Sequence, residues 1–428
     1  MPVAVFEDRA AESFLPLTYT RAVFDLRVGL YTLLERVERL FGKVEYAFVR
    51  PHLEEFYALD RGLGYPEDPD DELLLVNPRY VLDEKAMEKL SELSQSGRWF
   101  LLVHGSDVVG AKLPAEMACE VSRTGFDAGL ALRGFNGKLS ILHLEKARSL
   151  SQPWELIEAS AEALARDLEG LEGIEGDVDE TVKVIGKRGL RVEEGAVVEP
   201  YVVVDTRGGG ILVEKGAVVK SFAYVEGPAC IGRDTVVMPG ARIRGGCSIG
   251  PVCRVGGEVE ESIIHGYSNK YHDGFLGHAY VGEWVNLGAL TTNSDLKNTY
   301  GTVRFGPRRL DTGRQKVGVF IADIVKTSVG TLLYTGKSVG VASHLHGTVA
   351  EDVPSFTIYA RSLGVEPVEL DLESALKTLE RMMGRRGLTP TNAMRRLLER
   401  VFHITERERL RAGVKRGRFS LQLLGTAP

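Results

Sequence analysis

From Val213 to Val255 an aliphatic residue returns at every sixth position: Val213, Val219, Val225, Ile231, Val237, Ile243, Ile249 and Val255. After a nine-residue step over Gly208-Gly209-Gly210 the same phase runs back through Val204, Val198 and Val192. Neither a helix (period 3.6) nor a simple strand (period 2) asks for a β-branched residue every six. A stack of short strands does, because each hexad makes one flat face and sends one aliphatic side chain inward. Glycines between those positions, among them Gly195, Gly216, Gly240 and Gly246, suit corners with positive φ. The pattern predicts a parallel β-helix beginning near Val184, rather than a sandwich of regular strands. The strict phase stops after Val255, where GGEVEESIIHGYSNKYHDGFLGHAY reads as an insertion before Val281 and Leu287. A second irregular stretch, TTNSDLKNTYGTVRFGPRRLDTGRQK, precedes Val317, Val329 and Val341. Loops that interrupt a regular solenoid are where function concentrates.

Upstream the pattern changes to β/α alternation. Strands PVAVFED, KVEYAFV, LLLVN and WFLLV are separated by helices LYTLLERVERLFG, PHLEEFYALD and LDEKAMEKLSEL. This predicts a mostly parallel, helix-covered sheet whose ligands sit at the strands' C-terminal ends. An acidic helix from Pro153 to about Leu171 and a Gly/acid hinge follow. After Pro367, apolar stripes (Leu372, Ala375, Leu379, Met382; Met394, Leu397, Leu398, Val401, Phe402) predict helices, with Thr405 and Glu408 as a capping box for a third. The expected organisation is an α/β domain at 1–150, a helical arm at 151–183, the β-helix at 184–366 and a basic helical tail at 367–428.

Composition adds little to this. The 428 residues are 44% hydrophobic and 26% charged, as in ordinary soluble proteins. No apolar run has membrane-span length and the N-terminus reads as no signal peptide, so the chain is expected to be cytoplasmic and away from membranes. Cys119, Cys230, Cys247 and Cys253 form no CxxC pair and read as free thiols. The net charge of −6 conceals a local +9 between Lys377 and Arg418. Without interleaved aromatics, that basic tail suits an acidic neighbour or a partner subunit better than nucleic acid.

Two motifs carry a resemblance. FLPLTYTRAVFDLRVG, with Pro16-Leu17-Thr18 and the Val28-Gly29 turn, resembles the opening of sugar-1-phosphate nucleotidyltransferases, and especially a divergent branch with a PLT-x-TR-x-V-x-x-LR-x-G start. The resemblance implies that Thr18, Arg21, Arg27 and Asn77 bind the sugar phosphate and nucleoside triphosphate. Magnesium is possible in this domain. EDRAAES replaces the family's Gly-rich loop, Val23 its lysine, and Asn77 its metal-binding aspartate. Asp8, Asp25 and Asp107 are candidate substitutes.

Asn269 to Gly277 and Val281 to Ala289 resemble the acetyltransferase half of bacterial N-acetylglucosamine-1-phosphate uridyltransferases, the bifunctional GlmU type. That family combines a nucleotidyltransferase domain, a helical arm and a left-handed hexapeptide-repeat β-helix, in the order expected here. The resemblance covers about residues 1–360. It implies His272 as general base on a sugar amine, Asn286 as a positioning residue, and acetyl-CoA or another acyl-CoA as donor. It implies substrate contacts from Arg242, Arg244, Lys270, Asn293, Asp295 and Lys297, and a homotrimer. Phe275 replaces the family's tyrosine, and Glu260-Glu261 its lysine pair. Two other readings stand beside this one: a catalytically degenerate binding or assembly scaffold, and a zinc β-helix enzyme of carbonic-anhydrase type drawing on His265, His272, His278, His344 and His346.

Overall fold

The apolar segments of the first 150 residues form one six-stranded sheet. Its strands are β1 (Val3–Phe6), β2 (Val44–Phe48), β3 (Glu72–Val76), β4 (Phe100–His104), β5 (Asp107–Pro114) and β6 (Ser140–His143), in the order β2-β1-β3-β5-β4-β6. Helices α1 (Leu33–Phe41), α2 (Glu54–Asp60), α3 (Glu84–Ser94) and α4 (Ala115–Arg123) alternate with them. The computed structural model describes residues 1–68, 71–127, 129, 139–187 and 189–420. They divide into two units. The first comprises Met1–Leu26, Tyr31–Glu155 and Thr391–Arg400; the second comprises Arg27–Leu30, Leu156–Pro390 and Val401–Pro428.

In the first unit β1 runs parallel to both β2 and β3, and β4 parallel to β6. The sheet is mostly parallel, as expected; the exception is β5, which is antiparallel to β3 and β4. Only Gly105 and Ser106 separate β4 from β5, and so short a turn returns the chain antiparallel; a parallel crossover needs a dozen residues. The sheet's core is mostly aliphatic, with Phe6 stacked on Phe126 at 3.9 Å. Helix α1 starts with a capping box between Thr32 and Glu35.

The second unit is a parallel β-solenoid with three faces. The first face runs through nine strands, from Gly173–Ile174 to Ser338–Val339. The second runs from Asp177–Val178 to Asn269–Lys270, and the third from Lys183–Ile185 to Phe275–Gly277. Three hexads make one coil, so Val213 pairs with Ile231 and Ile231 with Ile249, and the aliphatic columns fill the interior. The stretch after Val255 is no insertion. Val255 pairs with Lys270, Ile249 with Ile264, Val259 with Leu276 and Ile264 with Val281. Those coils are shorter than eighteen residues, which is why the six-residue phase fails although the solenoid continues. The second irregular stretch does leave the solenoid, forming an antiparallel hairpin of Arg304–Phe305 with Leu310–Asp311.

Arg27–Leu30 belongs to this unit: the Arg27 N–H donates to the Tyr280 hydroxyl (2.9 Å), and the Ser248 hydroxyl to the Gly29 carbonyl (2.6 Å). Helix α5 (Glu155–Asp167) receives the same segment, its Ser160 hydroxyl accepting from the Gly29 N–H. The tail forms helices α6 (Leu372–Gly384), α7 (Asn392–Ile404) and α8 (Glu406–Arg411). Within the first unit Arg396 and Arg400 of α7 each lie 2.7 Å from the Glu55 carboxylate. The predicted capping box at Thr405 is not made. Its hydroxyl donates back to the Val401 carbonyl (2.7 Å) and accepts from Arg409, because α7 passes almost directly into α8. The four cysteines are unpaired, and burial pushes the Cys247 and Cys253 thiols up to about 12 and about 11. Among the described residues no helix is long and apolar enough to cross a membrane.

Candidate functional site

In the first unit, β1, β2 and β3 end side by side and deliver Glu7-Asp8, Arg50 and Asn77 to one edge. In place of a Gly-rich loop, Arg9–Phe14 forms a 3-10 helix capped by Asp8, which accepts from the Ala10 N–H. Arg50 grips the Glu7 carboxylate with Nε (3.0 Å) and Nη2 (3.1 Å), and donates to the carbonyls of Thr18 and Arg21. Thr18 and Arg21 are buried, and the Thr18 hydroxyl is turned to the Ala11 carbonyl. Asn77 is fully buried, donating to Asp8 (2.8 Å) and the Val108 carbonyl and capping the Arg79 N–H.

Arg79 is the residue the sequence reading passed over. Its guanidinium is 1% exposed and bonds both oxygens of Asp8, Asp107 (2.7 Å) and the Leu150 carbonyl. Burial works against its charge, but these two carboxylates outweigh burial and hold the proton firmly. Asp25, the third candidate carboxylate, is hydrogen-bonded by the Tyr57 hydroxyl and lies 3.6 Å from Arg61. As arranged, then, these carboxylates do not fit a magnesium ion, because a guanidinium already stands between Asp8 and Asp107. Arg27 belongs to the solenoid unit, its Nη1 on the Leu30 carbonyl.

In the second unit, Lys270 takes the interior position that Val219, Val237 and Val255 fill in earlier coils. It is 3% exposed, and its Nζ donates to the Gly256 (3.0 Å) and His272 (2.6 Å) carbonyls. Burial lowers it to about 8. Its ammonium thus holds the backbone of His272, whose imidazole is exposed at the next corner beside the Tyr271 ring (4.8 Å). Past that corner Phe275 lies on the third face, in line with Glu258 and Arg242. Arg242 pairs with Glu258 (3.0 Å) and Arg244 with Glu226 (2.8 Å). Asn293 replaces an aliphatic residue inside, clasping both the N–H and the carbonyl of Gly277 at 2.9 Å. Asn286 is exposed on the second face, where its side-chain oxygen accepts from Asn269 (3.2 Å). Its rung neighbour Lys326 donates to the Trp284 carbonyl and is lowered to about 7 by burial.

A second histidine is more tightly bound than His272. Glu261 (φ 38°) and His278 (φ 48°) fill the corner held one coil earlier by Gly246 (φ 78°). Stacking at equivalent corners sets His278 Nε2 3.2 Å from Glu261, while its Nδ1 lies 2.8 Å from Asp295. Burial would discharge the ring, but the bonds from Asp295 and Glu261 prevail and raise it to about 9. Glu260 alongside lies 3.6 Å from Lys316. The unequal coil lengths hid this corner alignment from the hexad count. Lys297 donates to the Thr302 carbonyl. Among the described residues no three His, Cys, Asp or Glu side chains converge as metal ligands.

Residues 3–174 match the profile of a family described as sugar nucleotidyl transferase. The chain is 26% identical over 323 residues to the bifunctional protein GlmU of Nitratidesulfovibrio vulgaris, an alignment covering 70% of this chain and 62% of that one. It is 33% identical over 162 residues to GlmU of Jannaschia sp., covering 37% and 32% of the two chains. A Bacillus cereus structure described as a putative acetyltransferase aligns with 54% of this chain and 98% of its own at 11% identity and a TM-score of 0.20. The chain therefore spans less than two thirds of the first curated relative.

Proposed function

We propose that this chain, a divergent relative of the bifunctional GlmU proteins, is a two-headed transferase acting on sugar phosphates. The observation that supports the reading best is His272, an exposed imidazole whose backbone is anchored from inside the solenoid by Lys270. In the proposed C-terminal reaction an amino-sugar nitrogen attacks the thioester carbonyl of an acyl-CoA. The C–N bond forms and the C–S bond breaks; His272 takes the proton released by the amine, and coenzyme A leaves as the thiolate, which that proton then converts to the thiol. Asn286 positions the acceptor. Arg242 and Arg244 are already paired with acids, so a sugar phosphate would have to draw them from Glu258 and Glu226.

In the proposed N-terminal reaction a sugar 1-phosphate oxygen attacks the α-phosphorus of a nucleoside triphosphate and pyrophosphate leaves. Thr18, Arg21 and Asn77 are buried behind the strand edge on which the substrate phosphates would lie, so a phosphate would reach them only by displacing their present partners, and Arg79 supplies positive charge between Asp8 and Asp107. The internal pairing of Glu7 with Arg50 and Asp8 with Arg79 also favours a second reading, a head that binds a sugar nucleotide without turning it over.

Thiol release from acetyl-CoA against amino sugars and their 1-phosphates tests the C-terminal reading. His272→Ala should retain the fold and lose about 10²–10⁴-fold in rate, and Asn286→Ala should lose less. No release with any acceptor, or equal release by wild type and His272→Ala, defeats it. Pyrophosphate release from nucleoside triphosphates with sugar 1-phosphates, beside equilibrium binding of the same ligands, separates the two readings of the first head.

A further inference from the structure

The hairpin that leaves the solenoid is held firmly against it. Phe305 is buried edge-on to Phe320 at 5.0 Å, and Val303 lies so close to Gly336 that a Cβ there would meet its Cγ1 at 2.4 Å. Gly336 also has φ 67°, so both the space and the backbone call for glycine. Between hairpin and solenoid remains a cavity of about 350 Å³ lined by Lys297, Val303, Arg304, Arg309, Thr335 and Lys337. That size falls at the lower end of ligand pockets, roughly 300–1,000 Å³.

Four of the six lining residues are cations and none is an acid. Among the described residues, no carboxylate comes within ion-pair distance of Arg304, Arg309 or Lys337, and Lys297 meets only the Thr302 carbonyl. Asp311 pairs with Arg304 across the hairpin but does not come within ion-pair distance of it. Its carboxylate accepts from the Gly313 N–H and the Thr302 hydroxyl, which, with the nearby charges of Arg304 and Lys297, pull it below the usual range. By contrast, Arg191, Arg207, Arg242 and Arg244 on the solenoid each have a carboxylate partner. In a chain of net charge −6, four cations converging on one concavity repel one another and focus positive potential into it. The arrangement is complementary to an anion that offers several oxygens at once, which is the chemistry of phosphate esters.

We propose that this cavity binds a phosphorylated ligand, with Arg304, Arg309 and Lys337 holding a diphosphate or bisphosphate group. The site is separate from the His272 corner and stands whether or not acyl transfer occurs. The shared chemistry has two sources, a nucleoside bisphosphate or a sugar phosphate, and the choice of probes distinguishes them. Titration calorimetry of the full chain would use inorganic pyrophosphate, adenosine 3′,5′-bisphosphate and glucosamine 1-phosphate at low and moderate salt. We expect one site per chain for at least one probe, with affinity falling as salt rises. Arg304→Ala, Arg309→Ala and Lys337→Ala should each weaken binding about tenfold or more. Arg304→Lys should keep most of the affinity, which guards against misfolding as the cause. His272→Ala should bind as the wild type does, so failure of the acyl-transfer reading leaves this result untouched. The absence of binding by all three probes at low salt, or alanine variants that bind unchanged, would overturn the proposal.

Discussion

The Nζ of Lys270 donates to the main-chain carbonyl of His272 at 2.6 Å, from a column position otherwise given to valine. A lysine is an expensive choice inside a solenoid. Lowering its pKa from 10.5 to about 8 corresponds to about 3 kcal/mol against the charged form. Because the folded value is the lower one, the unfolded chain binds more protons between about pH 8 and 10.5, and stability should rise with pH across that window. Lys270→Met should remove that slope, melt no lower than the wild type below pH 8, and reduce acyl transfer through kcat. If its activity equals the wild type's, the lysine does not position His272.

For His278 the sign is reversed. Its folded value is raised from 6.5 to about 9 by Asp295 and Glu261 against the effect of burial. Its contribution is therefore complete below about pH 6.5 and lost as pH rises through 9. The shift is worth about 3 kcal/mol, so the wild-type melting temperature should decline between about pH 6.5 and 8, below the window in which Lys270 acts. His278→Gln should start lower and stay flat. Parallel pH profiles for the two proteins would show that the corner carries no such charge.

Arg79 separates a metal-requiring first head from one that carries its own cation. Magnesium chloride alone should leave the melting temperature of the wild type unchanged. Arg79→Ala leaves Asp8 and Asp107 facing each other, and a broken buried pair costs about 3–5 kcal/mol. Magnesium should restore part of that loss in the variant. A clear magnesium shift in the wild type would mean that the two carboxylates are free to bind it.

Assembly is open to a direct measurement. Tyr201 and Phe222 stack at 5.4 Å while 58% and 68% exposed, an apolar pair on neighbouring coils of a solenoid proposed to work as a trimer. Light scattering at micromolar concentration should give three times 47.0 kDa. A single-chain mass would overturn the homotrimer that the GlmU resemblance implies.

The six-residue rhythm from Val192 to Val255 determined the solenoid unaided, because one inward aliphatic side chain per flat face is a purely local requirement. The β/α alternation before it likewise determined the helix-covered sheet. Only the tertiary structure decided the rest. The antiparallel course of Asp107–Pro114 follows from a two-residue turn rather than from its hydrophobic pattern. The shortened coils after Val255 keep their interior register although the count of six is lost, so Lys270 and Asn293 turn inward where the string of letters suggested loops. Arg79 between Asp8 and Asp107, and His278 between Glu261 and Asp295, join residues far apart in the chain or on coils of unequal length. Electrostatic partnership depends on distance in space, which a periodicity along the chain does not encode.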